Sequence, residues 1–198
     1  GSDKDALAQY SEGKYAYWLA AGILEDRDDA MIENVIALFC EENLAGQGAS
    51  VEFAGGTGAP EDPYIIETAE QLAGIAANYG ACYRLDADID LTGVQWQPIG
   101  AFMPMGTEGE EAEMPSSGYA FTGIFNGNGH KVSNLKIDAP ASYTVGLFGC
   151  TANAKIYDLT VENADISGAL MTGAVVGYAY MSEITDVTLS GKNTVRGN

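Results

Sequence analysis

The chain has 198 residues, enough for one large domain or two small ones, and 46% of them are hydrophobic, as expected of a folded protein. Its 28 acidic and 9 basic residues give a net charge of −19. This charge argues against nucleic acid and anionic membrane surfaces as partners, because both bind through clustered lysines and arginines. No apolar run is long enough to cross a bilayer, so we expect an acidic monomer with no membrane insertion.

Residues 3 to 45 carry the pattern of two short amphipathic helices. Tyr15 and Trp18 lie at helical spacing in the first, and Met31 to Phe39 hold the apolar stripe of the second. Two helices this short cannot form a domain alone. We predict that residues 1–47 form an N-terminal two-helix cap on the strands that follow, because the end of a strand stack is an exposed sheet edge. A helical recognition module is the alternative.

The next region changes to strand signals. A short helix is predicted to begin at Thr68, whose hydroxyl would cap it. From Tyr83 to Leu91 apolar and polar residues alternate, which predicts a strand with one buried face. The opposite, polar face of this strand carries Asp86, Asp88 and Asp90.

Residues 101–120 have the composition of a loop inserted between strands. Four glutamates lie between Glu108 and Glu113. Long loops on a rigid scaffold often carry recognition, and a solvated loop is the alternative. Trp96 and Tyr119 flank the insertion. They would form an aromatic platform for a sugar or peptide, unless Trp96 belongs to the core beneath the loop.

Residues 121–189 repeat one apolar pattern three times. Val132, Leu135 and Ile137 align with Ile156, Leu159 and Val161, each 24 residues later, and these align with Ile184, Val187 and Leu189, each 28 residues later. The spacing is apolar-x-x-apolar-x-apolar, with glycine upstream, and glycine, Asn and Asp at the expected corners. Helical repeats fit poorly because no 3.6-residue stripe is present. The pattern predicts a mainly β solenoid over residues 48–198, in which stacked strands enclose an aliphatic interior.

Several blocks in this region occur in a characteristic order. They are Gly56–Leu72, Leu85–Gly93 followed by Trp96–Gly100, Phe121–His130, Val145–Gly149 and Gly173–Gly177. In combination these blocks resemble the GLUG-motif surface proteins of bacteria, over residues 55 to about 197. The resemblance implies a right-handed parallel β-helix in secreted or surface-anchored proteins, often adhesin-like or beside a protease domain.

Two sets of residues are candidates for chemistry. The oxygens of Asp86, Asp88 and Asp90 are of the type that binds Ca²⁺. Residues two apart on a flat strand rarely converge on one ion without loop ligands, so we favour a solvated acidic face, partly neutralised by Arg84. His130 is the one histidine, and any Ser/His/Asp or Cys/His arrangement must use it. Its place after Asn-Gly-Asn-Gly indicates a structural corner.

The three cysteines, Cys40, Cys82 and Cys150, are far apart and lack the spacing of a metal site. We expect them to be small buried apolar residues. No catalytic, cofactor-binding or metal residues are therefore assigned, and no cofactor is expected.

These observations favour a non-enzymatic extracellular module with adhesin-like binding or structural presentation. The expected partner is a host or bacterial surface protein or glycan, and the expected location is secreted or anchored at the cell surface. The alternatives are an accessory region of a larger surface protease and a carbohydrate-active β-helix enzyme, which would need converging carboxylates. Residues 194–198 stop partway through a repeat, so we expect a longer native chain.

Overall fold

The computed structural model describes residues 51–101 and 120–197. Within these ranges the protein is mainly β, with parallel sheets and one short α-helix, as the sequence predicts. The strands are β1 (Tyr64–Ile66), β2 (Cys82–Leu85), β3 (Ile89–Asp90), β4 (Ile124–Asn126), β5 (Lys131–Ser133), β6 (Lys136–Ala139), β7 (Thr144–Val145), β8 (Phe148–Ala152), β9 (Lys155–Glu162), β10 (Asp165–Gly168), β11 (Met171–Thr172), β12 (Val176–Tyr180), β13 (Glu183–Ser190) and β14 (Thr194–Gly197). Helix α1 spans Ala69–Ala73 and continues into a 3-10 turn at Gly74–Ala77.

Two consecutive stretches of chain contain the same four strands. β7 pairs with β11, β8 with β12, β9 with β13 and β10 with β14, always in parallel. We call residues 144–168 the inner repeat and residues 171–197 the C-terminal repeat. Ile156 lies beside Ile184 and Leu159 beside Val187, which confirms the predicted offset of 28 residues. On its other side the inner repeat pairs with β4, β5 and β6.

The predicted offset of 24 residues is wrong. Val132 lies beside Val161, and it is Phe125 that lies beside Ile156. The cause is the connection between β4 and β5, where the chain leaves the ladder at Gly127 and rejoins it at Lys131. The neighbouring strand β9 runs on without a break. A pattern search reads the two short strands as one shorter repeat and slips the register.

The Gly127 position requires glycine, because the chain passes directly over β9. The Gly127 amide donates to the Tyr157 carbonyl at 2.8 Å, and the Gly129 amide to the Asp158 carbonyl at 3.1 Å. A Cβ on Gly127 would collide with the Asp158 backbone. Asn and Asp take up the left-handed backbone at several other corners, including Asn134, Asn153 and Asn163.

The core is one continuous apolar interior with a row of aromatic rings along it. The rings of Phe53 and Tyr64 are stacked with centroids 4.5 Å apart, and Tyr64 lies 5.6 Å from Tyr83. The row continues through Phe121 and Phe148, whose centroids are 5.0 Å apart. The aliphatic residues that the repeat pattern marks as inward in the inner repeat are buried in this interior. Each such side chain contributes roughly 1.5–3 kcal/mol by leaving water.

Local predictions between residues 64 and 100 agree with the structure in most details. Leu85, Ile89 and Leu91 are buried while the three aspartates between them are exposed. The Gln71 amide donates to the Thr68 hydroxyl at 3.2 Å, so Thr68 caps α1 as expected. Trp96 is buried, and its indole nitrogen donates to the Leu147 carbonyl at 3.1 Å. Trp96 is therefore part of the core and not of an aromatic platform.

The first strand is covered by the segment just before it. The Ala54 amide donates to the Ile65 carbonyl at 3.0 Å, and the Ile65 amide to the Gly55 carbonyl at 2.9 Å. The antiparallel bridge between Gly55 and Ile65 closes the free edge of β1 at that point. The predicted two-helix cap at residues 1–47, Cys40, Tyr119 and the glutamates Glu108–Glu113 lie outside the described residues.

Candidate functional site

Polar residues from neighbouring strands meet on one outer face, and they include every candidate ligand singled out above. We call this set the polar ladder; its members are Asp86, Asp88, Asp90, Asn128, His130, Lys131, Asn134, Glu162 and Ser190. The ladder exists because β3, β5, β9 and β13 stack in register, so that each inward residue is followed by a polar residue on the outer face.

Asp86 is held by an arginine on its own strand segment. The Arg84 Nε donates to Asp86 Oδ1 at 2.9 Å and its Nη2 to Oδ2 at 3.2 Å, a bidentate pair. Asn128 joins the pair from the β4–β5 connection and donates to Asp86 Oδ1 at 3.3 Å and to the Leu85 carbonyl at 3.1 Å. The partial neutralisation of the acidic face by Arg84 is as predicted.

Asp88 faces the one histidine. Its Oδ1 lies 3.1 Å from His130 Nδ1 and accepts from the Lys131 amide at 3.2 Å. The Lys131 amide, with smaller help from His130, lowers the pKa of the Asp88 carboxyl. His130 thus lies at a corner between strands, where its ring ties the corner to the strand next to it.

Asp90 has a third, separate set of partners. Its Oδ1 accepts from Asn134 Nδ2 at 2.8 Å, from the Thr92 hydroxyl at 2.7 Å and from the Thr92 amide at 2.9 Å. Asn134 and then Thr92 lower the pKa of the Asp90 carboxyl. Because every one of these groups is a donor, the oxygens of Asp90 are already used by the protein.

The ladder continues across the two repeats through residues that the sequence reasoning missed. Lys131 Nζ lies 3.0 Å from Glu162 Oε2, and the Ser190 hydroxyl donates to Glu162 Oε1 at 3.2 Å. This contact raises the pKa of Lys131 and lowers that of Glu162. Glu162 and Ser190 each follow the third inward residue of their repeat. With the register of the structure, that rule would have found them.

The three aspartates therefore do not form one ligand set. A Ca²⁺ site needs six to eight oxygens around one point, whereas each carboxylate here accepts hydrogen bonds from its own donors. Within residues 51–101 and 120–197 no group of three or more His, Cys, Asp or Glu side chains is placed to hold a metal ion. The geometry fits a clamp that fixes strand register from outside.

The two cysteines in the described ranges are buried and not bonded to each other. Burial raises the pKa of the Cys150 thiol to about 11, and it also raises that of Cys82. Both thiols are thus poor nucleophiles at neutral pH. They behave as the small apolar residues that the sequence predicts.

Comparison with known proteins gives two relatives. Over 150 residues, 72% of this chain, it is 36% identical to Halomucin of Haloquadratum walsbyi, where the match covers 2% of that protein. Over 163 residues, 76% of this chain, it is 31% identical to a protein of Evansella cellulosilytica whose name describes it as a Gly-rich membrane protein, where the match covers 17%. The chain spans only a small part of both relatives. No protein-family model and no solved structure matches it significantly.

In the part of the chain that the structure describes, no helix is both long enough and apolar enough to span a membrane.

Proposed function

We propose that residues 48–198 form a right-handed parallel β-helix of the GLUG-motif type, and that this domain is a non-enzymatic module of the cell surface. It serves adhesin-like binding or structural presentation. The observation that carries the proposal is the strand-by-strand parallel pairing of the inner and C-terminal repeats, with matching inward residues. A solenoid built this way is a rigid spacer whose surface is free to vary.

The comparisons support a location at the cell surface or membrane. One relative is named Halomucin and the other a Gly-rich membrane protein. The charge of −19 also suits an exposed, non-aggregating surface. Since the chain spans a small part of each relative, we propose that it acts as one module of a larger surface protein.

The ladder geometry favours binding over hydrolysis. Glycoside hydrolases need a carboxylic acid and a carboxylate on opposite sides of one bond. Here Asp86, Asp88 and Asp90 lie on one face, and each is held by its own donors. A general acid also needs a raised pKa, whereas the pKa of both Asp88 and Asp90 is lowered.

Two measurements test this function. The purified chain is incubated with a panel of neutral and acidic polysaccharides, and new reducing ends or unsaturated products are measured. It is also applied to glycan and surface-protein arrays. We expect binding without turnover; turnover that disappears in Asp88→Asn would establish an enzyme instead. Protease treatment of intact source cells should release peptides of this region if it lies on the surface, and peptides found only after lysis would refute that location.

A further inference from the structure

The C-terminal repeat exposes residues that are buried in the inner repeat. Ile156 and Val161 are fully buried, whereas their ladder partners Ile184 and Leu189 are 39% and 52% exposed. In the second sheet Ile166 is fully buried, and its partner Val195 is 42% exposed. These residues keep the inward register of the repeat and lack the layer that covers the inner one. We call Ile184, Val187, Leu189 and Val195, with strands β13 and β14, the open face.

The backbone of the open face also has an unused edge. Among the described strands β13 pairs only with β9, and β14 only with β10. β9 and β10, by contrast, are paired on both sides. An uncovered apolar surface next to an eight-residue strand edge is a template for one more strand. Soluble proteins rarely leave such a surface without a partner.

The open face has a shape that selects its occupant. Asp158 in β9 has a φ of 55°, and Asp186 in β13 has a φ of 50°, each two residues after the first inward isoleucine. Both strands also end at a left-handed residue, Asn163 and Gly191. The kinks are stacked in register, so a strand that pairs with β13 must bend at the same place. It must also space its inward residues by three and then by two.

A second copy of this chain does not meet that requirement through β13 itself. Two copies related by a two-fold axis would pair β13 antiparallel to β13. The kink and the unequal spacing of inward residues would then run in opposite directions in the two strands. A straight strand fails as well, because it has no left-handed residue opposite Asp186. A parallel strand with the repeat's own pattern fits both features.

We propose that the open face is a docking surface for one further repeat of the same class in a longer polypeptide. Its strand has the pattern apolar-x-x-apolar-x-apolar, with Asp, Asn or Gly two residues after the first apolar residue. The inference rests on the proposed β-helix. It is supported by the relatives, which extend far beyond the region that they share with this chain.

The experiment extends the full 198-residue chain by a second copy of residues 171–198. This places the copied isoleucine 28 residues after Ile184, the same offset that separates Ile156 from Ile184. The control carries the same extension with the isoleucine, valine and leucine of the copied strand changed to serine. A second control changes only the copied kink residue, as Asp186→Ile in the copy. Amide hydrogen exchange is then measured strand by strand in the parent and the three extended chains.

We expect the native extension to slow exchange in β13 by about tenfold or more relative to the parent, because β13 becomes an interior strand. Neither control should do so. The proposal is overturned if the native extension leaves β13 exchange unchanged, or if the serine control slows it equally. It is also overturned if the parent is already a dimer by light scattering with protected β13 amides, since a second copy is then the occupant.

β9 separates failure of this inference from failure of the fold. β9 lies between β4, β5 and β13, so its amides should be protected in every chain. Protected β9 with unchanged β13 refutes docking alone. Unprotected β9 in the parent refutes the stacked fold, and the docking surface with it.

Discussion

Ile156 and Ile184 form a matched pair for testing the stack. They are the same residue type at the same register position of adjacent repeats, and they lie beside each other in the β9–β13 ladder. Ile156 is fully buried, and Ile184 is 39% exposed. If the repeats stack as described, alanine at the two positions should differ in cost only because one position has a covering layer.

The magnitudes follow from the carbon atoms removed. Isoleucine to alanine deletes three carbons, and each buried methylene contributes about 0.8 kcal/mol, so the transfer cost at Ile156 is about 2.4 kcal/mol. A cavity between packed layers adds roughly 1–2 kcal/mol, for a total of about 4 kcal/mol. Ile184 is about three-fifths buried and opens to solvent, so its loss is about 1.4 kcal/mol with no cavity.

Urea unfolding of Ile156→Ala, Ile184→Ala and the parent chain, followed by tryptophan fluorescence and circular dichroism, measures both losses. The m-value should stay constant, because neither change alters the surface exposed on unfolding by much. In thermal unfolding the Ile156→Ala midpoint should fall by about 10 °C. An Ile184→Ala loss equal to or larger than that of Ile156→Ala would contradict the assignment of β13 to an uncovered face.

Three further changes test local details by the same unfolding assay. Met181 has a φ of 47° and is exposed, while the equivalent corner of the inner repeat is Asn153; Met181→Asn should therefore stabilise by about 0.5–1 kcal/mol, and a loss would show that the methionine packs. The Thr151 hydroxyl is buried without a hydrogen-bond partner, so Thr151→Val should stabilise by about 1 kcal/mol, and destabilisation would reveal a missed partner. The pKa of Asp90 is lowered by Asn134 and Thr92, so its stabilising effect is present above the unfolded pKa of about 3.9 and is lost as pH falls through the folded value. The stability difference between the parent and Asp90→Asn should accordingly be seen at about pH 6 and disappear near pH 2; a difference that is independent of pH would refute the charge-based explanation.

The buried faces could be predicted from the sequence because alternation alone decides them. Leu85, Ile89 and Leu91 are inward for the same reason that they were chosen, since a strand turns successive side chains to opposite sides. The 28-residue offset between Ile156 and Ile184 was found because the two repeats have equal length and no insertion between matching strands. Register is strongly specified wherever one face is buried.

The offset of the preceding repeat could not be predicted, because the apolar pattern contains no record of which residues leave the ladder. Gly127 to His130 form a corner that pairs with β9 through backbone groups alone. The left-handed backbone at Asp158 is equally silent, since Asp also occurs in straight outer positions of the same strands. The polar ladder depends on both features. Lys131 and Glu162 face each other only when the register is correct.

The two ends of the stack differ in a way that gives the domain a direction. At the β1 end, Phe53 stacks on Tyr64, and the Gln71 side chain of α1 donates to the Glu52 carbonyl at 2.9 Å. Residues 52–55 therefore cover the first strand from outside with antiparallel and side-chain contacts that no repeat could replace. At the β13 end the inward residues and the strand edge are both uncovered. A parallel stack can add a repeat only where the last strand presents an unpaired edge and an apolar layer together, so this domain can be extended at β13 and not at β1.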